Sequence, residues 1–305
     1  MKTEIKAHKS WQVALLVAVS LCLPAASQAA AGKADKAEKA DKAEKAATAK
    51  TAKSGKGKTK TGKAVPEAFA ALKEAVAKLS EHKGSEALAK FDEAIKLSPN
   101  YARAYANRAN VYMLARQYQK AIDDCTKAIS LDPHLAIAYV NRSWAELELN
   151  QFSKAHDDAT KAIALNPKLA IAYVNRSSAL NKLGRYQEAI EDANKALEMH
   201  KDIAAALVNR AHAEVHLSQF EKAVADCDKA IEKNPEMARA YNNRAKALRH
   251  LDKLEQAMTD CNRALTLDPK MGSGYYNRSE TYKALAARDA AKAKELGFVP
   301  DLSTK

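Results

Sequence analysis

The chain has 305 residues, of which 47% are apolar and 29% charged, with nine Gly, eight Pro and four Cys. That composition is ordinary for a water-soluble globular protein and excludes collagen-like, Gly/Pro-rich and disulfide-scaffold architectures. The formal net charge of +13 is concentrated at the front, because residues 32–64 hold eleven Lys against four acids.

Residues 1–31 read as a secretory signal peptide. Lys2, Lys6 and Lys9 form a positive start, and Val13 to Leu23 is an apolar stretch too short to span a bilayer. Small residues follow Pro24, so cleavage is expected after Ala29 or Ala31, giving an exported protein, periplasmic or secreted. Residues 32–65 form a Lys/Ala-rich low-complexity linker, with Lys33, Lys36, Lys39, Lys42 and Lys45 at every third position. It has almost nothing apolar to bury, so it is expected to act as a solvated spacer. The alternative is a grip on an anionic polymer, such as an envelope polyanion or nucleic acid.

From residue 66 onward one period governs the chain. Asn-Arg recurs at 107–108, 141–142, 175–176, 209–210, 243–244 and 277–278, always 34 residues apart. Pro99, Pro133, Pro167, Pro235 and Pro269 keep the period, as do Ala87, Ala121, Ala155, Ala189, Ala223, Ala257 and Ala291. Each period predicts two helices. The first carries Tyr105, Tyr139, Tyr173, Tyr241 or Tyr275; the second opens on Tyr118, Phe152, Tyr186, Phe220 or Leu254, with the small Ala column three residues later. Small residues allow close helix approach and large ones fill the space beside them. An acceptor followed by Pro, as in Asp132-Pro133, suggests a helix start.

The period, the aromatic–small–aromatic–Ala–Pro order and the helix pairs resemble the tetratricopeptide repeat family across residues 66–305. The resemblance implies an all-α fold, a right-handed α-solenoid of about seven 34-residue helix-turn-helix units. It also implies a scaffold that binds proteins or extended peptide segments in a concave groove. The chain departs from the family pattern where Arg108 and its equivalents replace Leu, and its end units are degenerate, as polar caps are.

Two polar columns need an account. Asp124, Asp158, Asp192, Asp226 and Asp260 lie sixteen residues after an Arg. Pairing within a repeat fails at Arg278, and pairing with the preceding Asp of that column fails at Arg108, so the Arg is expected to bridge two carboxylates as a structural element. Asn107, Asn141, Asn175, Asn209, Asn243 and Asn277 have no repeated partner in the sequence. The resemblance implies that these amides face the groove and bond a peptide backbone, which an amide suits because it both donates and accepts.

The family pattern adds Val140, Trp144 and Val174 to the groove, beside Ile137, Ile171 and Val208. Toward the C-terminal units it adds Arg239, Lys246 and Arg249. The expected ligand therefore has an apolar segment flanked by acidic groups. His212 and His216 have the i,i+4 spacing of a two-His metal site, but no third ligand is fixed, so no metal is expected. Cys125, Cys227 and Cys261 share one column and are expected to be buried small hydrophobes. No catalytic motif is present, so the expectation is a non-enzyme without cofactors, monomeric and without a membrane span.

Overall fold

The computed structural model describes residues 61–298, and the described residues form helices and turns only. The helices are α1 (Thr61–Ser80), α2 (Gly84–Leu97), α3 (Ala102–Leu114), α4 (Tyr118–Leu131), α5 (Ala136–Glu148), α6 (Phe152–Leu165), α7 (Ala170–Lys182), α8 (Tyr186–Met199), α9 (Ala204–His216), α10 (Phe220–Lys233), α11 (Ala238–His250), α12 (Leu254–Leu267) and α13 (Gly272–Glu295). The expected signal peptide and most of the expected linker lie outside the described residues. The first helix starts at Thr61, five residues ahead of the boundary expected at 66.

Two compact units divide within α5, between Asn141 and Arg142. In the first, α1 pairs with α2 and α3 with α4, and α3 packs against both α2 and α1. In the second, α7 pairs with α8, α9 with α10, and α11 with α12. Each second helix also packs on the next first helix, and the first helices α7, α9, α11 and α13 lie side by side. This is the all-α, consecutively paired class that the period implies.

The pairs form because each period supplies a turn. His82, Arg116, Asn150, Gly184, Ser218 and Asp252 all have positive φ and stand 34 residues apart. A left-handed residue other than glycine costs about 1–2 kcal/mol. The turn recovers part of that through a hydrogen bond from the next amide to the carbonyl five residues earlier, as in Gln117 N–H to Tyr112 O at 2.8 Å and Lys253 N–H to Leu248 O at 2.9 Å.

The seventh unit departs from the expected hairpin. Its turn slot is Ala286, a strong helix former, and α13 runs straight through it for 24 residues. The slots that bury aromatic, aliphatic and small residues in earlier second helices hold Arg288, Lys292 and Glu295 here. A folded-back helix would bury three charges, so the helix continues into solvent and Ala291 is exposed. With no described helix stacked beyond it, Tyr275 is 49% and Tyr282 57% exposed, whereas Leu180 and Leu248 in the column of Tyr282 are buried.

Between pairs, the Asp/Asn-Pro dipeptides do not start helices, contrary to the expectation. The acceptor residue ends the preceding helix and its side chain takes the amide two residues on, as in Asp132 Oδ1 with His134 N at 3.0 Å and Asn166 Oδ1 with Lys168 N at 3.1 Å. The next helix begins one residue after Leu169, Ile203 or Met237, none of which caps it with a side chain. The Tyr column braces the loop instead: Tyr105, Tyr139 and Tyr275 donate their hydroxyls to the carbonyls of Pro99, Pro133 and Pro269. The Ala column from Ala87 to Ala257 is wholly buried, as are Cys125, Cys227 and Cys261, which sit where two helices approach too closely for larger side chains.

Candidate functional site

The Arg column is committed to the fold, and its bridging takes a form the sequence only half revealed. Arg210 places Nε and Nη2 on Asp226 at 2.6 and 2.8 Å, and Arg244 grips Asp260 in the same two-point fashion. The remaining Nη1 reaches back sixteen residues to the previous second helix: Asp92 for Arg108, Thr160 for Arg176, Asn194 for Arg210, Asp228 for Arg244 and Asn262 for Arg278. The second partner is therefore not the earlier Asp of the expected column but a polar residue two positions beyond it. This removes the misfit at Arg108, whose backward partner is Asp92 and not Lys90, while Arg278 keeps only the backward contact. In the first unit Lys90 and Glu74 exchange the charges and pair at 3.1 Å.

The Asn column requires a correction. Asn141 donates to Ala106 O at 3.0 Å, Asn209 to Val174 O at 3.0 Å, Asn243 to Val208 O at 3.2 Å, Asn277 to Asn242, and Asn175 to Ser143 Oγ at 2.8 Å. These side chains are buried, Asn209 to 3% exposure, and Asn107 is buried as well. For Asn141, Asn209 and Asn243 the partner missing from the sequence is a backbone carbonyl of the neighbouring first helix, 35 residues back, whereas Asn175 reaches a hydroxyl 32 residues back. Those donors hold adjacent first helices in register and are not displayed to a ligand. Val140 and Val174 are likewise buried, so they back the surface without forming it.

In the second unit Trp144 of α5, a helix that Asn175 of α7 meets through Ser143, and Ile171, Ser178, Lys182, His212, His216, Arg239, Lys246 and His250 on the side-by-side first helices are at least partly exposed to solvent. At one end this band is apolar, with Trp144 and Ile171. Further along it is basic, and these bases differ in kind from the Arg column. Among the described residues no carboxylate lies within ion-pair distance of Lys182, Arg239, Lys246 or Arg249. Burial first, then the positive charge of Arg239, holds Lys182 below the ordinary lysine pKa. Burial and Arg249 do the same to Lys246. Arg239 is exposed to solvent, with Glu148 near enough to favour its charged form. Arg239 Nη2 meets only the amide oxygen of Asn209, at 3.4 Å.

One rim of the band follows a rule not read from the sequence. Thirty residues after the aromatic that opens a second helix stands a group lying on its ring. Lys182 Nζ is 6.0 Å from the Phe152 centroid, His216 stacks on Tyr186 at 4.4 Å, and His250 stacks on Phe220 at 4.4 Å. His216 Nε2 is 3.4 Å from Lys246 Nζ. Burial, with the bases around them, lowers the pKa of both histidines, and deeper burial takes His212 to about 3. Among the described residues no three ligating side chains gather around a metal position, and the imidazoles are occupied by rings and amides.

Two buried carboxyl groups were also missed. Glu146 and Glu214 lie below the surface with one oxygen each unpartnered, and burial, followed by repulsion from Asp158 and Asp226, raises their pKa to about 7. Their column holds Leu in the intervening repeats, Leu180 and Leu248, which was the available signal.

Three sequence descriptions of one family match the chain: tetratricopeptide repeat over residues 102–135 and 238–271, TPR repeat over 83–115, and tetratricopeptide repeat over 140–206, together about half of its length. The chain belongs to the tetratricopeptide repeat family. No curated protein sequence matches it significantly. Among solved structures it is similar to a chain of the APC/C hetero-tetramer Cut9-Hcn1, at 18% identity and a TM-score of 0.64 over 70% of this chain; it spans only 43% of that one. It is also similar to PilF of Pseudomonas aeruginosa (16% identity, TM-score 0.59, 71% of this chain and 99% of the other). A third is PilW, a type IV pilus biogenesis factor (19%, 0.58, 68% and 97%). At these identities the likeness is one of fold.

Proposed function

We propose that this tetratricopeptide repeat protein is a protein–protein interaction scaffold whose first-helix band in the second unit receives an extended peptide segment. The observation that carries the reading is the side-by-side row of α7, α9, α11 and α13, which repeats a partly exposed surface every 34 residues while the Arg and Asn columns lock the helices behind it. A repeated band suits an extended chain, whose own residues also recur at regular intervals. Trp144 and Ile171 supply apolar contact and the basic residues supply charge, whereas the Asn column sets helix spacing. The reading assigns no catalytic step to the chain and needs no cofactor.

Panning a peptide display library on the purified protein, then measuring the recovered peptides by fluorescence anisotropy, tests this. Trp144→Ala with Ile171→Ala is expected to weaken binding about tenfold or more, since each loses roughly 1 kcal/mol or more of apolar contact, with unchanged helical circular dichroism. Undiminished binding would refute the assignment of the band. Export belongs to the same proposal: N-terminal sequencing of native material should begin after Ala29 or Ala31, and an intact Met1 would overturn it. The anionic-polymer alternative predicts a steep loss of affinity with salt that disappears when residues 32–60 are removed.

A further inference from the structure

The basic stretch of the band has two features that a peptide scaffold does not require. Its bases make no carboxylate ion pair, whereas Arg108, Arg142, Arg176, Arg210 and Arg244 of the neighbouring column each grip an Asp, and two neutral histidines lie among them. Lys182, Arg239, Lys246 and Arg249 gather at a surface that water reaches, with only Glu148 and Glu280 acting on Arg239 and Arg249 from beyond ion-pair distance, so their mutual repulsion is relieved when an anion arrives. Carboxylates at intervals along a chain provide the relief at several repeats at once.

Nucleic acid fits less well. Single strands are held by aromatic platforms left open for bases, and here Phe152, Tyr186 and Phe220 are already covered by Lys182, His216 and His250. The apolar residues at the other end of the band, Trp144 and Ile171, also favour a polypeptide.

The groups facing each histidine define what binding does to it. His216 on α9 meets His212 of its own helix at 4.8 Å between rings, Tyr186 from α8 and Lys246 from α11. His250 on α11 meets Phe220 from α10, with Arg249 and Lys246 of its own helix supplying charge. No described acid faces either one. In the empty groove burial first, and then Lys246 for both rings and Arg249 for His250, favours the neutral imidazoles. A carboxylate laid beside Lys246 and Arg249 cancels that field and offers each imidazolium an acceptor, and the ring beneath already suits a cation.

We propose that the groove formed by α7, α9 and α11 binds an acidic extended peptide, and that His216 and His250 each take up a proton as it binds, so that the complex tightens on acidification. The proposal rests on the scaffold reading above and names its partner chemistry. His212, which burial takes to about pKa 3, stays neutral throughout. The sign follows from linkage: a group that binds a proton more firmly in the complex strengthens the complex as pH falls toward its empty-groove pKa.

The test uses the full chain and two labelled peptides of alternating sequence, one of Glu and Leu and one of Gln and Leu, with a single-stranded oligonucleotide and polyphosphate as further arms. From pH 7.5 to 5.5 the Glu peptide should bind roughly tenfold tighter for each histidine that gains a proton, and the Gln peptide should not respond. Calorimetry in two buffers of different ionisation heat should show proton uptake by the protein. His216→Gln with His250→Gln should flatten the pH response, read as the ratio of affinities at pH 5.5 and 7.5. Lys182→Gln, Arg239→Gln and Lys246→Gln together, or Arg239→Gln alone if the triple variant loses helicity, should abolish the preference for the Glu peptide. A pH response that survives the histidine substitutions overturns the proton linkage and leaves the scaffold reading intact. A Glu preference that survives loss of the bases overturns the acidic ligand, as does tighter binding of the oligonucleotide or polyphosphate than of the Glu peptide.

Discussion

Glu214 offers the sharpest test of how this fold is held together. It is buried, one carboxyl oxygen has no partner, and its pKa stands at about 7 against 4.5 in an ordinary setting. A raised carboxylate pKa means that the folded chain keeps a proton the unfolded chain has given up. The contribution of Glu214 to stability is therefore greatest below about pH 4.5, falls as pH rises through the window to about 7, and stays at the lower level above it. That difference corresponds to roughly 3 kcal/mol for the one group. Leu stands in the same column at Leu180 and Leu248, so Glu214→Leu places in this repeat a side chain its siblings already accommodate. At pH 8 the variant should be more stable by roughly 2–4 kcal/mol, which in a unit of this size raises the melting midpoint by about 5–15 °C. At pH 4.5 the gain should shrink to about 1 kcal/mol, the apolar contribution alone. Glu214→Gln separates the two parts, since it removes the charge but not the polar burial. Melts followed by circular dichroism at the two pH values decide it. An equal shift at both values, or destabilisation at pH 8, would show that the carboxylate is paired and the reasoning wrong.

Three further outcomes are expected. Asn209→Ala strips a buried carbonyl of its donor and should destabilise the second unit by about 1–3 kcal/mol, read as a lower urea midpoint. Arg210→Ala leaves Asp226 buried without its cation and should cost about 3–5 kcal/mol at neutral pH; a loss under 1 kcal/mol in urea melts would mean the pair is dispensable. A chain beginning at Thr61 should retain the melting midpoint of the full protein, because residues 32–60 have too little apolar surface to dock, and a drop of several degrees would show that they do.

The period, the helix pairs and the buried small columns were legible because each repeats at a fixed interval and each has a local cause. Asn and Arg were legible as columns but not as contacts. Their partners lie in the neighbouring repeat, Val174 O for Asn209 and Asn194 for Arg210, and a backbone carbonyl or a column of mixed Asp, Thr and Asn leaves no single-residue signature. The resemblance placed the Asn amides on the ligand side, whereas packing turned their donors toward the next helix. The basic stretch was seen in Arg239, Lys246 and Arg249, but Lys182 and the ring-stacked histidines were not, because their meaning depends on an aromatic thirty residues away. The straight course of α13 could have been read from Ala286 together with Arg288, Lys292 and Glu295.

The backward reach of each arginine also bears on how the array would answer a pulling force. Load applied along the second unit crosses from one repeat to the next through these Nη1 contacts, and they are unequal. The link from Arg244 to Asp228 is charged and short, at 2.5 Å, whereas Arg176 meets the neutral hydroxyl of Thr160 at 3.3 Å and Arg278 the neutral amide of Asn262 at 3.2 Å. A charge-assisted contact resists extension better than a neutral one. Stretched from its ends, the unit should part first where α7 leaves α6 or where α13 leaves α12, while α10 and α11 stay joined to the last.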